Sequence, residues 1–139
     1  MHTRLNRLVS ALMLAALTAC GGGSDPGPKE ITFVIRLHGF GPTEAFRVRS
    51  ADPAFIAKAR QQLGLPEAQR FLFPLGAIVA GDGGYNVGWG WHYNQVQLAE
   101  NAIELCDGTP SMVQADLPYW LGTVKQFCPW SGYVYAEQG

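Results

Sequence analysis

Residues 81–94, reading Gly-Asp-Gly-Gly-Tyr-Asn-Val-Gly-Trp-Gly-Trp-His-Tyr-Asn, gather more chemically capable side chains than any other stretch of this chain. Tyr85, Trp89, Trp91, His92 and Tyr93 sit among glycines that leave the backbone open to close approach by a ligand. In an extended segment Trp89 and Trp91 point to one face, Gly90 and His92 to the other. Exposed indoles would stack on sugar rings or aromatic ligands and would accept cations on their faces. Turned inward, the same pair would fill the core of a small domain, and at least one of them is expected there. The candidate contact residues are Tyr85, Asn86, Trp89, Trp91, His92, Asp107 and Trp130. No catalytic set is assigned.

His92 could serve as a general base or could pin its loop by a hydrogen bond. A catalytic role needs a partner, and Asp107, next to Cys106, is the best one in the sequence. Asp82 and Asn86 could place oxygens around calcium, but the EF-hand spacing is absent. A second candidate surface comes from Arg36 and His38 followed by Arg47 and Arg49, which fall on the polar face of an expected hairpin. They form either a basic patch for an anionic headgroup, phosphate or acidic partner, or a solvated face neutralised by Glu30 and Glu44. The chain has no G-x-S-x-G, no H-E-x-x-H, no phosphate loop and no G-x-G-x-x-G after a strand. Their absence favours a binding or interaction module over an enzyme, and no metal or cofactor is assigned.

Several elements must position these residues. Ile31, Phe33, Ile35 and Leu37 alternate with polar or smaller neighbours, which predicts a half-buried strand, and Phe46 and Val48 predict its hairpin partner. Asp52-Pro53 is a helix start, with an aspartate cap and a proline whose missing N–H costs nothing there. Phe55, Ile56, Ala59 and Leu63 share one face, and Gly64 with Pro66 stops the helix. Residues 71–80 read as a buried strand bent at Pro74, residues 85–93 as a strand within irregular backbone, and residues 102–106 as another strand. Thr109-Pro110 predicts a short second helix carrying Met112, Val113 and Leu117, limited by Pro118. Residues 132–137 close the chain as a strand. The expected fold is α+β, a mainly antiparallel sheet with one or two helices packed on one face.

Arg4 and Arg7 precede a short apolar run that ends at Leu17-Thr18-Ala19-Cys20. The order of basic head, apolar run and small-residue site is that of a secretory signal. As a helix, residues 8–17 would cover about 15 Å, half of a ~30 Å hydrocarbon core, which argues against a permanent span. The ending resembles the lipobox of bacterial lipoproteins, which implies that Cys20 is acylated and becomes the new N-terminus. In that class an aspartate after the cysteine retains the protein in the inner membrane, and Gly21 therefore points to the outer membrane. Gly21-Gly22-Gly23-Ser24-Asp25-Pro26-Gly27-Pro28 reads as a flexible tether. The expected organisation is a signal at 1–20, a tether at 21–29 and a single globular domain at 30–139. The domain is expected to be held in the cell envelope by the lipid bilayer, facing the periplasm or the exterior.

From residue 21 onward eight Lys and Arg face eleven Asp and Glu, a net charge of −3 that excludes the positive excess of a nucleic-acid binder. With Cys20 spent on lipid, Cys106 and Cys128 remain, and an even pair in an exported domain is most simply a disulfide. A zinc site is the competing reading, but it lacks a C-x-x-C pair or a spaced histidine pair.

Three segments together carry a family resemblance: Trp89-Gly90-Trp91-His92, Glu104-Leu105-Cys106-Asp107 and Cys128-Pro129-Trp130. They resemble the W-x-W-H, E-x-C-D and C-P-W segments of a small exported domain family. That family is found in bacterial secreted proteins and at the N-terminus of some calmodulin-binding proteins. The resemblance covers most of residues 30–137 and implies an exported, disulfide-containing domain without specifying a reaction. Relatives follow W-x-W-H with an aspartate-proline step, where this chain has Tyr93-Asn94-Gln95. The favoured function is a lipid-anchored envelope module for a small-molecule, glycan or protein ligand, with residues 85–93 as its contact surface. The alternative is a small envelope hydrolase or protease-inhibitor-like protein using His92 and Asp107.

Overall fold

The computed structural model describes residues 21–24 and 26–139. The expected signal and the acylated Cys20 lie outside the described residues. Two small antiparallel sheets share one core. The first has the order β2-β1-β7, from strands Ile31–Leu37 (β1), Phe46–Ser50 (β2) and Gly132–Gln138 (β7). The second is built on Phe73–Ala80 (β3), which pairs with Trp91–Tyr93 (β4), Gln97–Ala99 (β5) and Gln126–Phe127 (β6). Helices Pro53–Leu63 (α1), Pro110–Ala115 (α2) and Leu117–Tyr119 (α3) complete an α+β fold.

Alternation in β1 works as expected: Phe33, Ile35 and Leu37 are buried, and the residues between them are half-buried. Val48 faces Phe33 across the hairpin, and Phe46 faces Ile35. Phe46 then reaches the second sheet, with its ring 5.5 Å from Trp91 and 5.8 Å from Phe127. The core is thus aromatic at the contact between sheets, where offset and edge-on rings add to the burial of apolar surface. Asp52 caps α1 by accepting the Ala54 N–H at 2.9 Å, and Phe55 packs edge-on against Phe33. Arg70 ties this helix to the first sheet, its guanidinium donating to the carbonyls of Leu63, Leu65, Val134 and Tyr135.

Three segments differ from expectation. Residues 85–93 are strand only from Trp91, because Gly83, Gly84 and Gly88 adopt positive φ and fold the chain into turns before it. Asp82 stabilises that turn by accepting the Gly84 N–H at 2.8 Å. Residues 102–106 are not a strand: Glu104–Cys106 forms a 3-10 turn that delivers Cys106 to Cys128. The two cysteines form a disulfide with Cα atoms 5.1 Å apart, and the Cys128 N–H donates to the Cys106 carbonyl. Pro118 does not end the helical region. It stands in the first turn of α3, which Asp116 caps and a π-helical turn at Trp120–Val124 continues. Among the described residues no helix is long and apolar enough to cross a membrane.

Candidate functional site

β2 supplies Arg47 and Arg49 on the face opposite Phe46 and Val48, and the turn at residues 82–88 lies against that face. Asn86 makes the attachment. Fully buried, it accepts the Arg47 N–H at 2.8 Å through Oδ1 and donates to the Trp91 carbonyl at 2.9 Å through Nδ2. One amide thereby satisfies an edge group of the first sheet and a carbonyl of β4. Tyr85, next to it, is buried and donates its hydroxyl to the Tyr93 carbonyl at 2.9 Å. The Arg49 guanidinium lies 4.5 Å over its ring. Loss of hydration pushes the Tyr85 hydroxyl above its ordinary pKa, against the opposing pull of Arg49.

The result is a groove of about 680 Å³ whose walls include Lys29, Thr32, Arg47, Arg49, Tyr85 and Val87. Arg47 and Arg49 of the hairpin meet the aromatic loop there, whereas Arg36 lies over the Tyr135 ring and His38 stacks on Tyr133. Arg60 and Glu137 also line it, paired at 2.8 Å. The hydrogen bond from Arg60 holds the Glu137 carboxyl below its ordinary pKa. Glu44, expected to neutralise the hairpin, is engaged elsewhere: its carboxylate accepts the Ser111 N–H and hydroxyl at the start of α2. Glu30 stands 3.9 Å from Arg49 with an exposed side chain, a weak pair in water. A second groove of about 690 Å³ shares Glu30 and Arg49 and is lined by Asn94, Gln95, Gln97 and Gln126.

The remaining candidates are dispersed. Trp91 is at 0% exposure in the core. Trp89 is half-buried, packs 6.2 Å from Trp91 and donates its indole N–H to the Ala45 carbonyl at 3.0 Å. Trp91 is thus a core residue, as expected of at least one of the pair, and Trp89 is a half-buried loop anchor. His92 points Nδ1 at the Gly81 carbonyl at 2.7 Å, so this nitrogen carries the proton. Asp107 accepts from the backbone N–H groups of Gly108 and Trp130, both at 2.9 Å, beside the disulfide. Among the described residues no hydrogen bond joins His92 to Asp107. Trp130, 44% exposed, lies at the end of β1 away from the groove, where Leu37 pairs with Gly132. Asn86 is fully buried with its oxygen on the Arg47 N–H, and one of the two Asp82 carboxylate oxygens accepts the Gly84 N–H, so the two residues do not offer a free pair of ligands to calcium. Lys29, Thr32 and Arg60 carried no sequence signal, since their place in the groove depends on how β1, β7 and α1 converge.

The site is thus a basic and aromatic groove on a two-sheet α+β domain. The chain belongs to the BP-74 N-terminal domain family, whose model matches residues 29–139. No curated protein and no solved structure matches it.

Proposed function

We propose that this protein is a lipid-anchored cell-envelope binding module whose contact surface is the groove between β2 and the turn at residues 82–88. The carrying observation is the meeting of Arg47, Arg49 and Tyr85 in one preformed concavity, tied by Asn86. Ligand sites are typically concave and largely preformed, with a few placed polar groups on an apolar wall. The chain leads from Cys20 through a glycine-rich segment to Lys29 at the groove's edge. An anchor at Cys20 would therefore hold this end of the domain toward the bilayer, within about 30 Å for nine extended residues. Attachment through an acylated cysteine follows from the lipobox-like ending at Leu17-Thr18-Ala19-Cys20. The hydrolase alternative required His92 and Asp107 to act together, and their separate backbone partners give it no support.

Two measurements test this reading. Cys20→Ala should move the chain from the membrane fraction to the soluble fraction without changing its circular dichroism. A variant that remains membrane-bound like the wild type refutes the anchor. Screening the full chain in non-ionic detergent against glycans, peptides and small metabolites should yield ligands whose amide shifts centre on residues 47–49 and 84–87. Ligands that map instead to Trp130 and the disulfide end refute the groove.

A further inference from the structure

Arg47 and Arg49 are held in a way that ordinary surface arginines are not. Arg49 donates Nε to Thr32 Oγ1 at 3.2 Å and lies over the Tyr85 ring. Arg47 donates Nε to Gln138 Oε1 at 2.9 Å. Each guanidinium thus has its inner nitrogen engaged, and both arginines line the groove. The two residues are next-but-one neighbours on one strand, so their Cα atoms lie about 6.6 Å apart on the same face. Two guanidinium forks at that separation can close on one oxyanion from two sides, and the Nε bonds already made reduce the side-chain entropy lost on binding. The nearby side-chain carboxylates leave this arrangement open, since Glu137 is held by Arg60, Glu44 caps α2, and exposed Glu30 approaches Arg49 to only 3.9 Å, while Gly139 also lines the groove. Lys29 adds a third cation to the rim, and Val87, 66% exposed, adds an apolar edge.

We propose that Arg47 and Arg49 form a preorganised oxyanion site, taking a phosphate or carboxylate group of the ligand while Tyr85 backs Arg49 and Val87 contacts the ligand's less polar part. This deepens the proposed function and rests on the groove being the contact surface. The shared chemistry is a planar or tetrahedral oxyanion matched to guanidinium forks. Its source is either a soluble ligand or a phospholipid headgroup.

The test uses the full chain, isotope-labelled, in non-ionic maltoside detergent at low ionic strength. The Nε–H signals of its arginines are followed during titration with inorganic phosphate, with acetate, and with dihexanoyl phosphatidylglycerol below its micellar concentration. The Arg47 and Arg49 signals should shift saturably, while those of Arg36 and Arg70 stay in place. Tighter binding of the lipid than of phosphate assigns the site to a headgroup, and equal binding assigns it to a soluble oxyanion; both outcomes support the site. Arg47→Ala and Arg49→Ala should each weaken binding at least tenfold, as loss of a hydrogen-bonded charge does. Arg49→Lys should weaken it comparably, because it keeps the charge but loses the fork. Should an alanine variant fail to fold, the lysine variant and the wild-type signal map still decide. No saturable shift up to tens of millimolar, shifts spread equally over all arginines, or wild-type binding by Arg49→Lys would overturn the proposal. A neutral ligand that maps to residues 84–87 under those conditions would leave the binding module standing and remove only the oxyanion.

Discussion

Replacing Asn86 with alanine tests the joint on which the groove depends. Its side chain is at 0% exposure and makes two hydrogen bonds to backbone groups on different elements, the Arg47 N–H and the Trp91 carbonyl. Alanine removes both partners and supplies neither. An orphaned buried backbone group costs about 1–3 kcal/mol. The Trp91 carbonyl lies in a buried setting and bears the full cost, whereas Arg47 N–H is partly buried and recovers some of it from water. The expected loss is therefore about 3 kcal/mol in total. With a urea dependence of about 1–3 kcal/mol per molar, the denaturation midpoint should fall by about 1–3 M. Asn86→Asp separates the two bonds, since it keeps the acceptor for Arg47 but loses the donor to Trp91 and buries a charge. It should destabilise at least as much as alanine. Amide exchange at Arg47 should accelerate in the alanine variant relative to Val48, whose strand neighbours are untouched. A loss below about 1 kcal/mol, with Arg47 protection unchanged, would refute the view that Asn86 fastens the loop to the hairpin.

Two further outcomes follow from the same structure. Cys106→Ser opens a link across a separation of 22 residues, and the loop-entropy estimate puts the cost at about 3 kcal/mol by chemical denaturation; an unchanged midpoint would show that the bond contributes nothing. Loss of hydration and a hydrogen bond to Glu67 push the Tyr133 hydroxyl from the ordinary 10.0 up to about 12, and burial pushes the Tyr93 hydroxyl well above its ordinary value. Because the fold favours the neutral phenols, their contribution is complete below pH 10 and is lost as the pH rises toward 12. Phenolate absorbance compared between wild type and Tyr133→Phe should show this tyrosine ionising late, and ionisation near its ordinary value in the intact fold would contradict the assignment.

Local signals in the sequence carried the parts of the fold that are local. Asp52-Pro53 starts α1 because cap and proline act within one turn, and the alternation of Phe33, Ile35 and Leu37 needs only a sheet face to bury them. Reading fails where a distant partner decides. Residues 102–106 have strand-like composition, yet Cys106 must turn to meet Cys128, and a 3-10 turn results. Gly76 looks like a weak point in β3 until its surroundings are known: a Cβ there would lie 1.8 Å from the Gln95 carbonyl oxygen, so only glycine admits the crossing chain. Arg70 gave no sign of collecting four carbonyls from two elements. For the site, both halves were visible as Arg47 with Arg49 and as Tyr85 with Asn86, but their union was not. It depends on one buried amide spanning 39 positions, and no pattern of spacing announces such a bond.

The order of strands in the first sheet has a consequence for how the chain is made. β1 is central, yet among the described strands it is the earliest to be synthesised, and its pairing of Thr32 with Gln138 joins positions roughly a hundred residues apart. The β1–β2 hairpin and α1 can assemble as soon as they emerge. Until the last strand arrives, however, the other margin of β1 offers a row of unsatisfied peptide groups, a template on which another chain could add itself. Arg70 waits at the same time for two of its four acceptors, Val134 and Tyr135. The final strand thus acts as a clasp that converts a sticky half-domain into a closed one. The nascent domain stays exposed to aggregation until β7 has been made, because long-range strand pairing is slow and leaves such edges open meanwhile.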